Sequence, residues 1–72
     1  MMQVDTPDDL FDLVEAERIK KGLSRRALSA KAGYAPSGYW YWSSKRGKLS
    51  LDAAINYLKV LDLRVNVERS SL

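Results

Sequence analysis

The chain has no cysteine and no histidine. Without cysteine there is no disulfide framework, and the protein fits a reducing compartment. Without histidine the commonest general base and a common metal ligand are missing. Serine and aspartate are present, but in no spacing that pairs a nucleophile with a base. Neither an enzyme, a metal site nor a cofactor is therefore expected. Apolar runs are short, and none nears the ~20 residues that a membrane helix needs. The opening MMQVDTPDDL is acidic where a signal peptide would be basic. A cytoplasmic protein with no membrane contact is expected. The 72 residues make one domain at most. A domain this small buries only ~60% of its unfolded surface, so self-association is expected to support it.

The net charge of +3 conceals a strong asymmetry. Residues 1–17 hold six acids and no base, residues 18–48 hold nine bases and no acid, and residues 49–72 hold three of each. A basic block beside an acidic one suggests a face that binds a polyanion and other surfaces that repel it. Within the basic block lies SRRALSAKAGYAPSGYWYWSSKRGK, residues 24–48, with Arg25, Arg26, Lys31, Lys45, Arg46 and Lys48.

In chain order, Thr6-Pro7-Asp8-Asp9 is a helix start. Threonine can cap, proline suits the first position, and the two acids complement the positive end of the dipole. The first helix is expected over about 7–21, with Leu10, Phe11, Leu13 and Val14 as its apolar stripe and its acids facing water. Gly22 stops it. Ser24 caps a second helix over about 25–32, whose Ala27, Leu28 and Ala32 face inward. Ser29 and Ala30 are small enough to let another helix approach. Gly33 ends that helix, with positive φ expected. Pro36 then suits the first position of a third helix, over about 36–43. Four consecutive aromatics, Tyr39-Trp40-Tyr41-Trp42, cannot all face one way on a helix. Tyr39 and Trp42 share a face and are assigned to the core. Ser37, Trp40, Tyr41 and Ser44 then point outward. Gly38 is a poor helix residue, which suggests close approach to a neighbour. Ser50 caps a fourth helix over about 51–61, with Leu51, Ala54, Ile55, Leu58 and Leu61 closing the core.

The segment 24–43 reads as a helix-turn-helix that would set its second helix in the major groove of DNA. Arg25 and Arg26 stand in a first helical turn, where cations oppose the dipole, and a phosphate would offset that cost. Trp40 and Tyr41 are large aromatics to leave exposed. On DNA, Tyr41 would bond a phosphate or base edge, and Trp40 would pack on a thymine methyl or sugar. Lys45, Arg46 and Lys48 follow where the sugar–phosphate backbone would pass, and three such contacts would add roughly 3 units to the salt slope of binding. The tail 63–69, LRVNVER, alternates apolar and polar residues as a strand does. Leu63, Val65 and Val67 would pair with the same strand of a second chain, antiparallel about a two-fold axis.

ERIKKGLSRRALSAKAGYAPSGYWYW, together with SLDAAINYLKVLDL, resembles the lambda-repressor-like, Xre-type helix-turn-helix family. The likeness spans about residues 10–62. Arg18, Gly22-Leu23-Ser24, Leu28-Ser29, Gly33, Gly38, Tyr39 and Trp42 stand at the family's characteristic places. The tail is similar to the C-terminal strand of some antitoxin-type members. The resemblance implies an all-α, compact four- to five-helix domain with a short C-terminal β-strand for dimerisation. It implies base reading by Pro36, Ser37, Trp40 and Tyr41, a phosphate or base contact by Arg25, and phosphate contacts by Lys45, Arg46 and Lys48. The family often carries a glutamate after the third-helix anchor, which can pair with the first-helix arginine. Here that position is Ser43, so Arg18 is left for another partner, DNA among them. Pro36 and Gly38 offer few hydrogen bonds, which favours reading of DNA shape.

The expected function is sequence-specific binding of double-stranded DNA by a homodimeric regulator, with repression the simplest mechanism. Two alternatives stay open. One is an antitoxin-like module whose exposed aromatics bind a toxin or other protein partner. The other is a non-specific nucleic-acid binder, DNA or RNA, acting through the basic face.

Overall fold

A computed structural model of the chain describes residues 3–44 and 50–70. Among the described residues there are four α-helices and no strand: α1 (Pro7–Lys20), α2 (Arg25–Lys31), α3 (Gly38–Ser43) and α4 (Leu51–Val60). The fold is all-α. None of these helices is long and apolar enough to cross a membrane.

Three of the helices are closed at both ends by the same local chemistry. The side-chain oxygens of Thr6, Ser24 and Ser50 accept hydrogen bonds from the backbone N–H groups of Asp9, Ala27 and Ala53. Each satisfies a donor that the first helical turn would otherwise leave unpaired. At α1 the Asp9 carboxylate also reaches back to the Thr6 N–H, 3.1 Å away, which completes a capping box. At the other ends, Gly22, Gly33 and Asp62 take left-handed backbone conformations, with φ of 71°, 88° and 58°. The next residue then returns its N–H to a carbonyl of the last turn: Leu23 to Arg18 at 3.1 Å, Tyr34 to Ser29 at 3.0 Å and Leu63 to Leu58 at 2.8 Å. This is the Schellman arrangement, and its usual apolar contact is present, since Leu23, Tyr34 and Leu63 all pack against the core. The two glycine stops were expected from the sequence. Asp62 is a non-glycine residue in a conformation that costs an L-amino acid energy, less for aspartate than for most, and it was not among the stops expected.

The core is Val14, Leu28, Tyr39, Tyr57, Leu58 and Leu61, with Leu10, Phe11, Leu23 and Trp42 against it. Tyr39 meets the rings of Trp42 and Tyr57 edge-on at 5.4 and 5.3 Å, and Phe11 meets Trp42 edge-on at 5.2 Å. Such pairs contribute roughly 0.5–1.5 kcal/mol each beyond burial. The inward assignment of Tyr39 and Trp42 is therefore seen directly. Leu51 differs from expectation: it is 76% exposed, while Tyr57 is almost fully buried. Leu51 stands in the first turn of α4, where the core no longer reaches it, and the inward stripe runs instead through Ala54, Tyr57, Leu58 and Leu61.

Residues 63–70 form no regular element in the single chain. Leu63 packs on the core, whereas Val65 is 54% and Val67 93% exposed.

Candidate nucleic-acid interface

The connection between α2 and α3 fixes the face on which the expected site residues lie. Gly33 closes α2, and Tyr34 folds over the turn onto Tyr57, ring centres 5.5 Å apart. The Tyr34 hydroxyl accepts a 2.7 Å hydrogen bond from the Asn56 side chain. Ala35-Pro36-Ser37-Gly38 then makes a turn closed by the Gly38 N–H on the Ala35 carbonyl at 2.9 Å. Pro36 and Ser37 thus precede α3, which starts two residues later than the proline pattern suggests. The physical reason is turn chemistry. Proline in the second position, glycine in the fourth, and Ser37 at φ −83° and ψ −8° suit a type I turn as well as a helix start.

Helix α3 has no side-chain cap of its own. The Tyr39 N–H instead donates to the hydroxyl of Ser29, which is fully buried on α2, at 2.9 Å. The small residue expected to permit close approach therefore also caps the neighbouring helix. A methyl at Gly38 would meet only ordinary contacts, 3.5 Å from the Tyr57 hydroxyl oxygen and 3.6 Å from the Tyr34 Cβ. Packing within the chain leaves room for alanine there.

Beneath α3 sits a polar cluster that pattern reading missed. The Glu15 carboxylate takes a two-pronged interaction from Arg18, at 3.0 Å from Nε and 2.9 Å from the terminal nitrogen. It also accepts a 2.5 Å bond from the Tyr39 hydroxyl. Arg18 spends its remaining terminal nitrogen on the Leu23 carbonyl at 2.7 Å. The hydrogen bonds from Arg18 are the main reason the Glu15 carboxyl is pulled from 4.5 down to about 2; partial burial opposes the shift and the Tyr39 hydroxyl adds to it. Burial first, and the neighbouring carboxylate second, push the Tyr39 phenol well above its ordinary range. Two expectations are corrected. Glu15 does not simply face water, and Arg18 already has a partner within its own helix. The signal was in the sequence, since residues three apart on a helix are neighbours.

Arg25 also reaches toward Glu15, at 3.5 Å, with its side chain about half exposed. Part of the cost of a cation in the first turn of α2 is thus met inside the protein. Arg26 lies elsewhere. Together with Pro36, Ser37 and Trp40 it lines one open groove between α2 and the start of α3. Four of the expected site residues are brought together there. Tyr41 is 54% exposed beside it, its ring 5.3 Å from that of Trp40. Lys45, Arg46 and Lys48 lie outside the described residues. Among the described residues no group of acidic side chains could hold a metal ion.

The chain matches no protein-family model, no curated protein and no solved structure.

Proposed function

We propose that this protein is a sequence-specific double-stranded DNA-binding regulator of the lambda-repressor-like, helix-turn-helix type, acting as a homodimeric repressor. One observation carries the reading. Arg26, Pro36, Ser37 and Trp40, drawn from two helices and the turn between them, line one shallow, open groove on the surface. The groove falls within the block of residues 18–48 that holds nine bases and no acid. A cationic, partly apolar surface beside a short helix with exposed side chains is what the major groove of DNA accepts. Exposed Val65 and Val67 support the dimer, because antiparallel pairing of two tails would cover them. A two-fold dimer would require an inverted repeat with half-sites ~10 bp apart.

The test is selection of random duplex DNA by the purified protein at ~150 mM salt, since at lower salt the basic block holds any polyanion. Enrichment of an inverted repeat is expected. Binding that shows no sequence preference and disappears with added salt would defeat this reading in favour of non-specific attachment. A protein partner is the second reading, favoured by the exposure of Trp40 and Tyr41. It predicts that Trp40→Ala or Tyr41→Ala abolishes partner binding while DNA affinity stays the same.

A further inference from the structure

The two arginines that open α2 are not equivalent. Arg25 is drawn toward Glu15, 3.5 Å away, while Arg26 stands on the wall of the groove. The rest of that wall is poor in hydrogen-bond donors. Pro36 has no N–H, the Ser37 hydroxyl is one donor, and the Trp40 side chain carries a single N–H on an otherwise apolar ring. Such a groove cannot read a base by a ladder of hydrogen bonds. It presents one forked cation next to an apolar surface.

In the major groove, only one base edge carries an exposed methyl group, that of thymine. Guanine is the base whose O6 and N7 accept both prongs of an arginine. Resting on the DNA-binding reading above, we propose that the groove reads a thymine next to a guanine. The thymine methyl lies against Pro36 and Trp40, and Arg26 bonds the guanine O6 and N7. Ser37 lies at the same groove and can bond whichever edge faces it, since serine hydroxyls discriminate little. Arg25 is then a backbone contact or a purely internal one, and contributes little to sequence preference.

The experiment uses the full chain and the duplex obtained by selection. Each thymine of a half-site is replaced in turn by deoxyuridine, which removes the methyl group and nothing else, and affinity is read by fluorescence anisotropy. At one thymine flanking a guanine, binding should weaken about fourfold, the effect of losing one buried methyl. The same replacement should have a clearly smaller effect on the Trp40→Ala protein. Arg26→Ala should lose its preference for that guanine by roughly tenfold or more, whereas Arg25→Ala should leave the preference among sequences unchanged. Trp40 and Arg26 are both exposed, so neither change removes a core contact, and helix content by circular dichroism confirms folding. Specific binding that ignores the methyl at every thymine, or that senses it just as strongly in the Trp40→Ala protein, would overturn the inference and leave the regulator reading standing. Failure to select any sequence would overturn both.

Discussion

Helices α1, α2 and α4 each begin at a hydroxyl cap and close on a left-handed residue, all specified within a few positions of sequence. Helix α3 has no such cap. It is six residues long, too short to persist alone, and its supports lie on other helices. Ser29 of α2 receives its N-terminal N–H, Glu15 of α1 receives the Tyr39 hydroxyl, and Tyr57 of α4 packs on the Tyr39 ring. The part of the molecule that presents Trp40 and Tyr41 is thus the part whose own sequence specifies it least. Damage to α3 should come from substitutions remote in sequence, and damage to the other helices from their own ends.

The largest effect should follow Glu15→Ala. It leaves the Arg18 side chain, only 13% exposed, without its carboxylate, and it frees the Tyr39 hydroxyl. A loss of about 2–3 kcal/mol is expected in urea unfolding. An unchanged midpoint would show that α3 does not depend on α1 through this cluster. The same cluster predicts acid sensitivity. A carboxyl whose folded pKa is depressed contributes stability that is complete above its unfolded value of 4.5 and is lost as pH falls toward about 2. Between those two limits the melting temperature of the native protein should fall more steeply than that of Glu15→Gln.

Ser29→Ala should cost about 1–2 kcal/mol, because the Tyr39 N–H is left without an acceptor in the interior. Ser24→Ala removes an exposed cap and should cost about 1 kcal/mol. The comparison is sharpened by reading both variants with tryptophan fluorescence. Ser29→Ala should shift the emission, since it loosens the helix that holds both tryptophans, and Ser24→Ala should not. Equal spectra would place the two caps on the same footing. The smallest effect is a gain. Asp62→Gly relieves a left-handed backbone at φ 58°, and about 0.5–1 kcal/mol of added stability is expected in thermal unfolding. The Lys21–Asp62 pair that is lost, 3.1 Å long with its carboxylate exposed, offsets little of this.

Much of this fold could be read from the chain without coordinates. Hydroxyl caps at Thr6, Ser24 and Ser50, glycine stops at Gly22 and Gly33, and the spacing that turns Tyr39 and Trp42 inward are short-range features. Each acts through bonds or packing within one or two helical turns, so local sequence determines it. The outward position of Trp40 and Tyr41 follows from the same periodicity. Tertiary structure decided the rest. Pro36 fits a turn or a helix start, and only the closing bond from Gly38 to Ala35 selects the turn. Leu51 has the periodicity of a core residue, and only the extent of the core leaves it in solvent. The pairing of Glu15 with Tyr39 spans 24 positions, and that of Ser29 with Tyr39 spans 10. No local pattern encodes contacts of that range, because they form only when three helices have already packed. The groove that joins Arg26 to Pro36, Ser37 and Trp40 arises in the same way. The sequence supplied the residue types, and the packing of α3 against α2 decided which arginine stands beside them.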